Sequence, residues 1–172
     1  MGVRFGSRPV SAEYNGRVAK KSAGILVYRV RNGQAEVFLV HPGGPFWAGK
    51  DAGAWSIPKG EFEDEDALGA AQREFKEETG FEISGEFRPL APATLKSGKL
   101  VYAWAVKGDL DASQVRSNLL ELEWPPRSGK RMSVPEVDRG EWFPLGAGLE
   151  KINPAQGGFI RELARLLKVP LD

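Results

Sequence analysis

In the stretch "PKGEFEDEDALGAAQREFKEETGF", residues 58–81, the glutamates Glu74, Glu77 and Glu78 follow one another at spacings of three and one. On a helix turning about 100° per residue they share one side. Helix physics argues against this placement. Glu74 and Glu78 are like charges four residues apart, at a cost of about a few tenths of a kcal/mol, and Glu77 and Glu78 sit at the negative end of the helix dipole. The plain alternative is a solvated acidic face, with Arg73 relieving Glu77 at i, i+4. Several carboxylate oxygens at close quarters, fed by a glycine-bearing loop, are instead what Mg2+ or Mn2+ selects. The cluster therefore reads as a hard-metal site.

The elements that must position these acids follow from periodicity. Leu68, Ala71, Phe75 and Thr79 recur at spacings of three and four, which predicts an amphipathic helix over 66–79 ended by Gly80. Its apolar face is turned roughly 110° from the acids, so one side packs while the other converges. Upstream, "SAGILVYRV" and "AEVFLV" are β-favouring and flank "RNGQ", whose Asn32-Gly33 pair marks a tight hairpin. Residues 41–55, "HPGGPFWAGKDAGAW", are rich in Gly and Pro and read as a long loop of the kind that carries function. It ends in the short apolar segment "WSIP". His41, the single histidine, reads as a loop residue. Phe46, Trp47 and Trp55 are candidates for stacking on a base, at least one of them being expected in the core instead.

Downstream, "PATLKSGKLVYAWAVKG" predicts two strands around the Ser97-Gly98 turn, and "NLLELEW" and "EWFPL" predict later strands. A closing helix is expected in "NPAQGGFIRELARLL", with Asn153 as cap, Pro154 in the first turn, and Phe159, Ile160, Leu163, Leu166 and Leu167 facing the core. Residues 1–21 mix Gly, Arg, Ser and Lys without periodicity and are expected to be a flexible tail, leaving one domain over 22–172.

Composition narrows the function classes. With 24 Lys plus Arg against 23 Asp plus Glu the net charge is +1, so bulk charge gives no case for wrapping nucleic acid or adhering to a membrane. The absence of Cys excludes disulfides and thiolate metal sites and fits a reducing compartment. No apolar run approaches the roughly 18 residues that cross a bilayer, and the polar, Arg-containing start lacks a signal peptide's apolar core. A cytoplasmic protein is expected.

Residues 60–81 resemble the Nudix box: a Gly, a spaced Glu, then Arg-Glu-apolar-x-Glu-Glu-x-Gly-apolar. "REFKEETGF" matches the second half in full. The resemblance extends more weakly over 22–167 and implies an α/β (α+β) fold, the αβα sandwich with a mixed central sheet. There is one departure. The family usually places five residues between the Gly and the first Glu, whereas counting back from Arg73 gives Glu65, only four residues after Gly60. Either the loop is one residue short, or Asp66 replaces that Glu in a different register.

The resemblance implies Mg2+- or Mn2+-dependent hydrolysis of a nucleoside diphosphate linked to another group. Glu74, Glu77 and Glu78 would bind the metal, Arg73 would orient the carboxylates, and Gly60 would be the tight-turn residue. In "PKG" members the Lys59 carbonyl meets a metal while its ammonium faces phosphate. Either Glu74 or a later acid takes the water's proton. Glu136, in "PEVDRGEWFPL", is the leading later acid, ahead of Asp138, Glu121 and Glu123. Arg127, Lys130 and Arg131 in "WPPRSGKR" either grip distal phosphates or keep a turn soluble, the second being preferred. "WSIPKGE" is similar to a segment of diadenosine polyphosphate and RNA 5′-pyrophosphate hydrolases. A dinucleoside polyphosphate or nucleoside triphosphate is thus the expected partner, an RNA 5′ end less favoured. The rival reading is a non-catalytic domain of the same family that senses a nucleotide or RNA.

Overall fold

The computed structural model describes residues 20–171. Before them only a backbone ladder is described, pairing Glu13–Tyr14 with Arg17–Val18. The tail expected over 1–21 lies, up to residue 19 and apart from that ladder, outside the described residues.

Strands β1 (Lys21–Arg31) and β2 (Gln34–Pro42) form the expected antiparallel hairpin. Asn32 and Gly33 both take positive φ, 53° and 74°, as a two-residue turn with the twist of its strands requires. A short strand, β3 (Lys59–Phe62), pairs with the start of β1, placing Lys59 opposite Gly24 and Gly60 opposite Ala23. Then come helix α1 (Ala67–Thr79) and strands β4 (Arg88–Thr94) and β5 (Leu100–Lys107), the last parallel to β1. A separate hairpin of β6 (Leu119–Glu123) and β7 (Arg131–Pro135) leads into β8 (Val137–Pro144), helix α2 (Leu145–Lys151) and helix α3 (Gly157–Leu167). The main sheet is mixed, in the order β8-β2-β1-β5-β4.

Both faces of this sheet are covered. Residues 22–28 of β1 are buried without a break, the pattern of a strand enclosed on two sides. Ala23, Ile25 and Val27 pack with Ala70, Ala71 and Phe75 of α1. The alternate residues Leu26 and Tyr28 join Phe159, Ile160 and Leu163 of α3 on the other face. This is the αβα sandwich with a mixed central sheet. Among the described residues no helix is long and apolar enough to cross a membrane.

Helix α1 has the predicted ends. The Asp66 carboxylate caps it by accepting from the Gly69 N–H at 3.0 Å, and Gly80 closes it in the left-handed conformation at φ 81°. The closing helix differs in detail. Asn153 caps a one-turn 3-10 segment, Pro154–Gln156, that runs into α3. Leu167 packs on the core, whereas Leu166 stays 38% exposed, because periodicity does not say where the partner surface ends.

Two aromatic and imidazole expectations need correction. Trp55, taken as a candidate to stack on a base, is only 1% exposed. It packs edge-on against Phe143 with centroids 5.0 Å apart, so no face is free for a base. His41 is a fully buried residue of β2, not a loop residue.

Candidate active site

Helix α1 lies against β1 and β3, and this packing turns its acids toward the β3 backbone. Glu74 and Glu78 are buried, while Glu77 stays exposed at the rim. The Glu78 Oε2 accepts the Lys59 N–H at 3.1 Å. Glu74 rests on Gly60 so closely that a Cβ at that position would overlap its carboxylate. Gly60 is therefore needed for close approach. The tight turn expected there is instead part of strand β3, without positive φ.

Arg73 ties the set together. Its Nη1 donates to Glu74 Oε1 at 2.9 Å and Glu77 Oε1 at 3.1 Å. Its other edge grips Glu65 with two bonds, Nε to Oε2 at 3.2 Å and Nη2 to Oε1. These carboxylates raise the Arg73 pKa above its ordinary value, the Glu65 bond contributing most. The open question of register is thereby settled. Glu65 is the residue that holds Arg73, and Asp66 is occupied as the helix cap. The loop is short between Gly60 and Glu65, ahead of the pair.

Glu136 reaches the same place from the opposite side of the sequence. The last turn of α1 leaves backbone carbonyls without helical partners. Thr79 and Glu77 present theirs to the Arg116 and Asn118 N–H groups, each at 2.9 Å. Asn118 in turn accepts the Glu136 N–H through its carbonyl at 3.0 Å. The corner between β7 and β8 is thus docked onto the helix end, and Glu136 joins the acids of α1.

The electrostatics record this convergence. Burial, then the neighbouring Glu136 charge, pushes the Glu78 carboxyl up to about 8, against an ordinary 4.5. Glu74 and Glu136 are also raised, each chiefly by burial. Repulsion from Glu77 adds to both, while Arg73 opposes the rise at Glu74. Burial pulls the Lys59 ammonium below its ordinary value, with Glu78 opposing. Four acids share one arginine and one lysine, and that arginine is already engaged by Glu65. The carboxylates turn to separate partners, and among the described residues no three His, Cys, Asp or Glu side chains enclose a cation-sized position. The donor chemistry is nonetheless all oxygen, on groups held together against their repulsion, which suits a hard divalent cation.

Of the remaining candidates, Trp47 lies half-buried on the long loop beside exposed Phe46, their rings 5.0 Å apart and edge to face. Asp138 faces His41 rather than the acids. Glu121, Glu123, Arg127, Lys130 and Arg131 stay exposed on the β6–β7 hairpin. The sequence left Glu65 and Asp66 both open for the spaced acid of the motif, and what it missed is the Asn118 link.

A cavity of about 610 Å3 opens elsewhere, lined by Arg29, Arg31, Asp109, Ser113 and Trp142. It lies at the hairpin end of β1, six residues from the Ala23 that pairs with Gly60, or roughly 20 Å along a strand. Arg29 there is already paired with Glu36 and Asp109, both at 2.8 Å. The acids of α1 are therefore the candidate site.

The sequence profile described as NUDIX domain matches residues 20–163. The chain belongs to the NUDIX domain family. As a class it is a Nudix hydrolase, a family that generally uses divalent metals. A C. elegans Ap4A hydrolase, solved as a binary complex, is similar over 87% of this chain and 98% of its own, at 22% identity and a TM-score of 0.62. The NUDIX domain of Shewanella oneidensis NrtR, complexed with ADP ribose, is similar over 89% and 90%, at 15% identity and a TM-score of 0.60. A mutT/nudix family protein from Listeria innocua is similar over 88% and 96%, at 15% and 0.59. At such identities the likeness is one of fold. No curated protein sequence matches the chain.

Proposed function

We propose that this Nudix protein is a Mg2+- or Mn2+-dependent pyrophosphohydrolase that cleaves a diphosphate linkage in a nucleoside polyphosphate, with dinucleoside polyphosphates and nucleoside triphosphates favoured. The observation that carries the reading is the set of Glu74, Glu77, Glu78 and Glu136, drawn together although burial, with their mutual repulsion added to it, raises three of them. The Ap4A hydrolase of similar fold and the "PKG" segment support the substrate lean.

Glu74, Glu77, Glu78, Glu136 and the Lys59 carbonyl would hold the metal. Bound there, a divalent cation neutralises phosphate oxygens and lowers the pKa of a water nucleophile. The chain's own residues supply the rest. Arg73, braced by Glu65, fixes the direction of the Glu74 and Glu77 carboxylates. Lys59 offers its ammonium to a phosphate from the strand facing Glu78. Glu136 or Glu74 takes the proton of the attacking water. Trp47, with Phe46, offers a ring edge and face to a base.

The test is phosphate release with Mg2+ or Mn2+ across nucleoside triphosphates, diadenosine polyphosphates, ADP-ribose, coenzyme A and 5′-triphosphorylated RNA, with Glu77→Gln as the blank. Turnover of a nucleoside polyphosphate well above that blank supports the proposal. Silence across the panel with tight nucleotide binding would move the protein to the sensor reading.

A further inference from the structure

His41 is a buried ionisable group that the acid set does not use. Its Nδ1 lies 3.0 and 3.1 Å from the two oxygens of Asp138, and its Nε2 lies 2.7 Å from the Lys50 carbonyl oxygen. The Lys50 carbonyl can only accept, so the Nε2 N–H donates to it. Arg139 stands behind this pair, its Nη1 3.3 Å from Asp138 and 3.4 Å from the ring.

The place of the Lys50 bond gives it meaning. Residues 43–58 connect the two sides of the site. The Gly43 N–H donates to the Glu136 carbonyl at 3.0 Å, and the segment returns to the sheet through Ser56, paired with Val40, just before Lys59 and Gly60. The second half is anchored to α2, by Gly53 N–H to Glu150 at 3.1 Å, Trp55 N–H to Lys151 at 3.0 Å, and an Asp51–Lys151 ion pair. The first half has no such support. Among the described residues, the backbone of 44–50 makes one hydrogen bond outside itself, and that bond is from His41. It falls on the residue whose ammonium sits 3.3 Å from the Phe46 ring centroid and 5.1 Å from that of Trp47. Fixing the Lys50 backbone therefore fixes a cation against an aromatic pair, at the mouth of a loop that starts beside Glu136.

We propose that His41, oriented by Asp138, is a positioning residue that clamps residues 44–50 so that Phe46, Trp47 and Lys50 form a preformed wall for the nucleotide end of the substrate. The kinetic consequence rests on the pyrophosphohydrolase reading, whereas the clamp itself does not. Loss of the clamp weakens substrate binding and leaves the acids of α1 in place, so the effect falls on KM.

Two variants separate the ring nitrogens. Asn reproduces the reach of Nδ1 toward Asp138, and Gln reproduces that of Nε2 toward Lys50. His41→Asn is expected to raise the KM for diadenosine tetraphosphate about tenfold with kcat within about twofold, the effect of losing one buried hydrogen bond that preforms the binding wall. His41→Gln should restore most of that KM. Hydrogen exchange should show faster amides over 44–50 in His41→Asn and near-native ones in His41→Gln. Should His41→Asn fail to fold, Asp138→Asn, at an exposed position, is expected to move KM and exchange in the same direction. Equal effects of the Asn and Gln variants, or unchanged exchange over 44–50 in the variant that loses the Lys50 bond, would overturn the clamp. If the native enzyme hydrolyses neither diadenosine tetraphosphate nor ATP, the pyrophosphohydrolase reading fails, and the exchange comparison still decides the clamp.

Discussion

The two ends of strand β1 handle charge in opposite ways. At the hairpin end, Arg29 lies between Glu36 and Asp109 and over the Trp142 ring, so each charge has a partner of opposite sign. At the other end, beside Lys59 and Gly60, four glutamates share Arg73 and Lys59, and three of them are pushed above their ordinary pKa. The first arrangement serves the scaffold, since paired charges next to a half-open surface stabilise it modestly. The second works against stability, and a fold keeps such a feature where the chemistry needs it.

The sharpest way to break this contrast is Glu78→Gln. It should lower turnover by about a thousandfold, since it removes a carboxylate from the set proposed to hold the metal. The same substitution should raise the melting temperature of the metal-free protein at pH 8. An enzyme that stays active, or a variant that melts lower than the native protein, would remove Glu78 from the site. Glu136→Gln is next, with kcat expected to drop about a hundredfold and KM little changed if it is the base. Steady-state kinetics that leave kcat intact would transfer that role to Glu74.

A third prediction concerns pH without any substitution. The Glu78 carboxyl titrates near 8 in the folded chain and near its ordinary 4.5 when unfolded. Between those values the folded state holds a proton that the unfolded state has released, so stability falls as pH rises. Melting of metal-free protein should therefore drop by several degrees from pH 5 to pH 8, and Glu78→Gln should flatten that slope. Added Mg2+ should raise the melting point more at pH 8 than at pH 6, because the ionised carboxylates bind it. A profile that rises toward pH 8 without metal would contradict the buried acid. The smallest effect is expected at the paired end. Arg29→Met should lower the melting temperature by about 2–4 °C, the equivalent of about 1 kcal/mol in a domain of this size, with kcat and KM unchanged. Lost activity in a folded Arg29→Met protein would place the cavity beside Trp142 in the reaction.

What the sequence displayed and what it hid divide along the range of the interactions. Helix α1 was legible along its length and at its C-terminal end, because Gly80 and the Leu68-Ala71-Phe75-Thr79 stripe act within a few residues, whereas the cap made by Asp66 was not read. The Asn32-Gly33 turn was legible for the same reason. Strand β3 was not: four residues that include Gly60 carry little strand preference, and pairing with Lys21 to Gly24 makes them a strand. The burial of Trp55 and His41 was hidden too, since the Gly- and Pro-rich sequence around them describes the loop they border rather than the sheet they belong to. Among the acids, α1 announced its own three by spacing. Glu136 was singled out by the likeness of "PEVDRGEWFPL" to the family's later acid, but the contacts through Arg116 and Asn118 that bring it to α1 are contained in no local pattern.

Those contacts also impose an order on assembly. Helix α1 and the β1–β2 hairpin close over short stretches of chain, whereas Glu136 arrives only when a segment some sixty residues downstream of Glu74 has zipped onto the helix terminus, a slow, high-separation closure. A chain still emerging from the ribosome thus carries the acid-bearing helix before it carries the residue that completes the site. On the proposed role of Glu136, competence for hydrolysis would come with the last third of the sequence, and a nascent or prematurely ended product would have the motif without that acid.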